Sequence, residues 1–183
     1  MTDSQTSAVE LCAMVESVFS VDGVLARADP HYQPREGQLA MAQAVAHAMG
    51  AGEVLVAEAG TGVGKTYAYL VPALLSGERV LLSTATKALQ DQLFSRDIPR
   101  LVQALEVPVR VALLKGRSSY LCLHRLGMAR HAVGEVSPQQ IRVLAKIEEW
   151  SRSTRSGDLS ELTGLDDRSP VIPWVTSTRE NCL

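Results

Sequence analysis

The chain has no surplus of positive charge, no long apolar run and no cysteine framework, and each absence removes a class of function. Its 18 Lys and Arg against 20 Asp and Glu leave a formal charge of -2. A nucleic acid would therefore have to meet a local patch rather than a globally basic surface. No apolar stretch approaches a membrane span, and the opening Met-Thr-Asp-Ser-Gln-Thr lacks the basic and apolar regions of a signal peptide. A cytoplasmic location with no membrane partner is the expectation. Three cysteines, Cys12, Cys122 and Cys182, are too few and too odd in number for a disulfide scaffold, which leaves thiols or metal ligands. Internal repeats and low-complexity tracts are also missing.

What is present is enough for one globular domain, with 183 residues of which 46% are hydrophobic. Apolar spacing predicts a helix over residues 7–19, a loop over 21–31, and an alanine-rich helix over 35–49 closed by Gly50. Strands and helices then alternate. Strands are expected at 53–57, 79–84 and 109–114, and helices at 65–76, at 87–95 and in a short stretch opened by Asp97 and Pro99. Such alternation argues for an α/β fold, a parallel sheet flanked by helices. Beyond residue 115 the pattern turns helical, over 118–131 and over 138–152 with Ser137 as N-cap and Pro138 at the first helical position. A polar tail with Gly157, Gly164, Pro170 and Pro173 follows.

Ala59-Gly-Thr-Gly-Val-Gly-Lys-Thr66 sits between an expected strand and an expected helix, the setting of a phosphate-binding loop. Gly60, Gly62 and Gly64 let the backbone turn tightly and aim N–H groups at phosphate oxygens beside a helix N-terminus. Lys65 would reach the β and γ phosphates and Thr66 would place its hydroxyl on Mg²⁺. The strict motif wants Gly where this chain has Ala59. About twenty residues upstream, Gln38 carries a primary amide that can donate and accept, which matches the N6 and N7 edge of adenine. An exposed glutamine at a helix start fits the same residue. Ser83, Thr84 and Thr86 are hydroxyls at a strand end before a helix, suited to phosphate contact. Residues 107–134 hold Arg110, Lys115, Arg117, Arg125 and Arg130 and no acid. That run fits a nucleic-acid surface or a solvated helix face.

Taken together, Arg35-Glu-Gly-Gln38, Glu58-Ala-Gly-Thr-Gly-Val-Gly-Lys-Thr66, Ser83-Thr-Ala-Thr-Lys-Ala-Leu-Gln-Asp-Gln-Leu93 and Leu114-Lys-Gly-Arg-Ser-Ser-Tyr-Leu-Cys122 resemble the DinG/XPD-like superfamily 2 iron–sulfur helicases, YoaA type. The resemblance covers roughly residues 32–126 and the tail at 174–183. It implies a partial RecA-like motor domain over 32–114, preceded by a helix and loop over 1–31 and followed by the helical start of an Fe–S insertion over 115–183. It implies ATP with Mg²⁺, held by Arg35, Gln38, Ala59, Gly60, Thr61, Gly62, Val63, Gly64, Lys65, Thr66 and Tyr67, with Lys65 and Thr66 catalytic. Single-stranded or forked DNA would meet Ser83, Thr84, Thr86, Lys115, Arg117 and Arg125, with translocation 5′ to 3′ in repair or replication.

Cys122 and the Cys182 of Asn181-Cys-Leu183 match two of the four ligands of a [4Fe–4S] cluster in that family. No Asp-Glu-x-His segment ends an apolar strand, since Asp166-Asp167 follows no strand. The expectation is therefore the N-terminal portion of a longer helicase, inactive in ATP turnover by itself. Two other readings stay open: a P-loop NTPase that is no motor, and a non-catalytic module that binds nucleotide or DNA.

Overall fold

A computed structural model describes residues 7–131 and 136–182. The opening six residues, and Leu183 of the Asn-Cys-Leu tail, lie outside the described residues. The chain divides into two compact units, residues 1–112 and residues 113–183. Among the described residues no helix is long and apolar enough to cross a membrane.

The first unit is built on three packed helices. Helix α1 (Ala8–Phe19) opens where Ser7 accepts the Glu10 N–H at 3.2 Å, an N-cap that satisfies one orphan donor of the first turn. Leu11, Val15, Val18 and Phe19 form its buried stripe at the spacing of one helix face. After a short helix, α2 (Val24–Ala28), that stripe packs on α3 (Glu36–Ala51) and α4 (Lys65–Leu75). Ala42 and Ala46 of α3 are fully buried, and their small side chains let the helices approach closely. Gly50 does not close α3. A Cβ there would stand 2.5 Å from Ala8, so Gly50 is where α1 crosses, and Gly52 in the left-handed conformation ends the helix.

Three further expectations differ from the structure in this unit. Residues 21–31 contain α2 rather than loop alone. Helix α5 (Lys87–Gln92) runs through a π turn, Leu93–Asp97, straight into α6 (Ile98–Leu105). Asp97 therefore caps nothing, because it has helical dihedrals and its carboxylate is engaged elsewhere. Finally, the stretches at 53–57, 79–84 and 109–114 form no strands among the described residues. Strand character depends on cross-strand and same-face neighbours, and here Val54 is 94% and Leu81 92% exposed. These stretches have the composition of strands without the packing.

The second unit surrounds a core of Leu126, Ile147, Leu159, Leu162, Val171 and Val175. Helix α7 (Leu123–His131) is shorter than the 118–131 expected, with one 3-10 turn at Arg117–Ser119 before it. The reason is local: the Leu121 N–H donates to Gly157 O and the Cys122 N–H to Val175 O, both at 2.8 Å, which withdraws these residues from a helix. Helix α8 (Pro138–Ser151) has the expected Ser137 cap, completed by Gln140 as a capping box. The tail read as polar instead folds back, through a 3-10 turn at Leu159–Glu161 and a short helix α9 (Ile172–Val175), and supplies most of the core.

Candidate nucleotide site

The loop from Ala59 to Thr66 leads into α4 with Gly62 at φ 83° and Gly64 at φ 89°. These are left-handed conformations that a side chain strains. The N–H groups of Tyr67 and Ala68 return to Gly64 O at 3.1 and 3.2 Å. Those of residues 62–65 donate to no backbone carbonyl among the described residues. They are the donors a helix N-terminus offers an anion.

Two side chains from the head of α3 hold this loop. Gln38, 6% exposed, donates from Nε2 to Gly64 O at 2.9 Å. Arg35 donates from Nη1 to Gly62 O. Lys65 folds back along the loop and donates from Nζ to Ala59 O and Gly60 O, each at 2.7 Å. The structure thus brings Arg35, Gln38, Ala59, Gly60, Gly62, Gly64 and Lys65 together, and Val63 packs over Gly37 with its Cγ1.

Sequence reasoning named Tyr67 but did not assign Tyr32 and Tyr69 to the site's surroundings. Thr66 and Tyr69 stand three residues apart on α4, a spacing that sets their side chains on one face. A cavity of about 610 Å³ beside α4 is lined by Tyr32, Tyr67, Asp29, Arg100, Leu25 and Leu101 among others. Burial pushes the phenols of Tyr32, Tyr67 and Tyr69 above the usual tyrosine range, so they act as neutral hydrogen-bonding groups. Tyr32 also donates to Phe19 O at 3.3 Å.

Downstream, the Thr86 hydroxyl caps α5 by accepting the Leu89 N–H at 3.3 Å, and Thr84 Oγ1 donates to Thr86 O at 3.3 Å. Ser83 is exposed.

The cationic run of the second unit is less available than its charge count suggests. Lys115 is 7% exposed and its ammonium lies 2.9 Å from both Asp158 Oδ2 and Ser160 Oγ. Burial alone would raise the Asp158 pKa, but hydrogen bonds from Lys115 and Ser160 outweigh it and hold the carboxyl below its ordinary value. Arg130 pairs with Glu148 at 2.7 Å. Arg125 donates to Pro173 O at 3.4 Å, with its Nε buried and unpartnered among the described residues. Arg117 is exposed.

Cys122 is half-buried at the head of α7 and Cys182 is exposed. Among the described residues no group of three His, Cys, Asp or Glu is placed to hold a metal ion. A cubane cluster needs four thiolates, so the residues present do not fit one. Cys12 packs against the core of the first unit, its Sγ 3.8 Å from Gln43 O.

A model of the DEAD/DEAH box helicase family matches residues 39–153. Among curated proteins, the chain is 50% identical over 165 residues to the ATP-dependent DNA helicase YoaA of Escherichia coli, covering 90% of this chain and 26% of that protein. It is 46% identical over 171 residues to the YoaA helicase of Haemophilus influenzae, covering 92% and 26%. The ATP-dependent helicase DinG of Mycobacterium tuberculosis is 43% identical over 173 residues, covering 81% and 26%. The chain spans about a quarter of the length of these relatives.

Proposed function

The chain belongs to the DEAD/DEAH box helicase family, and from that premise we propose that it forms the nucleotide-gripping part of a DinG/YoaA-like ATP-dependent DNA helicase. The observation that carries the proposal is the clamp of Arg35 and Gln38 on the carbonyls of Gly62 and Gly64. It holds the loop in the left-handed turns that aim its N–H groups at one point. On nucleotide binding, Lys65 leaves Ala59 O and Gly60 O for the β and γ phosphates. Thr66 takes a place on Mg²⁺, and Thr61 and Val63 supply backbone to the cradle. Gln38 has its second N–H and its Oε1 left for an adenine edge, and Tyr67 adds an aromatic wall.

In this reading the RecA-like parallel sheet of the family would take up residues 53–57, 79–84 and 109–114 as strands, a pairing absent among the described residues, and their C-terminal ends would carry the loop and the hydroxyls of Ser83, Thr84 and Thr86. Single-stranded or forked DNA meets those hydroxyls in the first unit and, as a separate contact, Arg117 and Arg125 in the second, with 5′-to-3′ movement as ATP turns over. Lys115 is better placed to hold the second unit together than to meet phosphate, given its pairing with Asp158. No step is assigned to an iron–sulfur cluster. The test is titration of the chain with a fluorescent ATP analogue and Mg²⁺. Lys65→Ala should weaken binding at least about tenfold, since a charge-assisted contact to phosphate is lost; equal binding by the variant would remove the site.

A further inference from the structure

The π turn at Leu93–Asp97 interrupts an otherwise continuous helical run. Such turns are rare and are found frequently at functional sites. The wider winding brings residues five apart toward one side, and here it brings Gln92 to Asp97. Asp97 Oδ2 accepts from Gln92 Nε2 at 2.7 Å, and Oδ1 accepts from Arg96 Nε at 2.9 Å. Asp97 is 3% exposed and, with Asp158, one of two buried acids among the described residues.

The charge of Asp97 reaches the nucleotide helix. Tyr67 and Tyr69 of α4 both feel its charge, with Arg96, Arg100 and Asp29 also acting on Tyr67. Helix α6 packs on α4 and α2, while the main packing of α5 is on the π turn. The π turn that ends at Asp97 leads into α6, which packs on α4, the helix opened by Lys65 and Thr66, and Gln92 ties Asp97 back to α5 and its cap Thr86. Burying a carboxylate for stability alone is a poor choice, because its desolvation offsets much of the gain from its partners.

We propose that Asp97 is a positioning residue that couples the nucleotide loop to α5 and to the hydroxyls at residues 83–86, so that nucleotide and single-stranded DNA alter each other's affinity through it. The proposal rests on the reading of those two sites given above. It adds the element that joins them, a two-state contact that each ligand biases.

The experiment uses the whole chain. Its affinity for a fluorescent oligo-dT is measured by anisotropy with and without a non-hydrolysable ATP analogue and Mg²⁺. The wild type should show a ratio of at least about fivefold, the lower range of such couplings. Asp97→Ala should bring the ratio to one while nucleotide affinity alone stays within about twofold of wild type. Gln92→Glu, which sets two carboxylates face to face, should act in the same direction. The exchange Gln92→Glu with Asp97→Asn reverses donor and acceptor and should restore the ratio; this pair decides the matter if Asp97→Ala does not fold. An unchanged ratio in Asp97→Ala, a parallel loss of nucleotide affinity, or no rescue by the exchange overturns the proposal. A wild type that binds both ligands with a ratio of one overturns it too. A wild type that fails to bind nucleotide overturns the reading of the loop as well, and the Lys65→Ala comparison identifies that case.

Discussion

Gln38 and Gly64, 26 residues apart, are joined by a hydrogen bond of 2.9 Å from the amide Nε2 to the carbonyl oxygen. The contact is as close as the backbone permits. A Cβ on Gly64 would lie 2.1 Å from Gln38 Nε2, and the residue has φ 89°. Gly64→Ala therefore meets two obstacles, a left-handed conformation costing about 1–2 kcal/mol and eviction of the Gln38 amide. Titration with a fluorescent ATP analogue should show a loss of at least about tenfold, the 1.4 kcal/mol equivalent. Gly60→Ala has open space around its Cβ and should be far milder.

Lys115→Met should destabilise the second unit by about 3–5 kcal/mol, because it strips a buried carboxylate of its charged partner. Both tryptophans of the chain, Trp150 and Trp174, pack in that unit's core. Their intrinsic fluorescence during denaturant unfolding reads the loss directly. Unfolding as late as in the wild type would mean that the ion pair contributes nothing.

The same pair sets an acid limit. Asp158 has its pKa lowered in the folded chain, so its contribution is fully present above the ordinary carboxylate pKa and is lost as pH falls through the lower folded value. Tryptophan fluorescence followed from neutral to acid pH should show wild-type stability declining across that window. In Lys115→Met this part of the decline should largely vanish.

Arg117→Ala should reduce the salt dependence of oligo-dT binding, since one fewer cation displaces counterions. Arg130→Ala should change the slope less, because Arg130 is engaged by Glu148. The check is log affinity against log salt for the two variants. A larger effect at Arg130 would reverse this ranking of the cationic run.

Cys122→Ser should leave the second unit folded, with a denaturation midpoint close to wild type. The backbone of residue 122 is held by its N–H to Val175 O at 2.8 Å and by its carbonyl accepting from Leu126 N at 2.9 Å, and serine keeps both. A collapse of tryptophan fluorescence in this variant would show that the thiol itself organises the unit.

Helices α4 and α8 were legible because their signals are local. Ser137 and Pro138 announce α8, and Gly-Lys-Thr announces the start of α4. The Lys115–Asp158 pair was not, because its partners are 43 positions apart and charge counting over 107–134 could not see the acids at 148 and 158 folding back. The core contributed by residues 159–175 has no helical or strand period to reveal it. Asp97 looked like a helix cap for a sound local reason, an acid two residues before Pro99. What overrode it was the π turn, whose existence depends on packing rather than on composition.

Lys65 resting on Ala59 O and Gly60 O has a consequence for which anions enter the loop. An incoming oxyanion competes with the protein's own carbonyls for the ammonium, and hydrogen bonds to a charged group contribute about 1.5–3 kcal/mol each. Inorganic phosphate can replace those two contacts but reaches few of the N–H groups along the turn. A triphosphate bound as proposed would span the whole row of donors and displace the carbonyls with contacts left over. Under the proposed nucleotide reading, the folded-back lysine would make the loop a discriminator by length of polyphosphate, favouring the long chain over the abundant short anion.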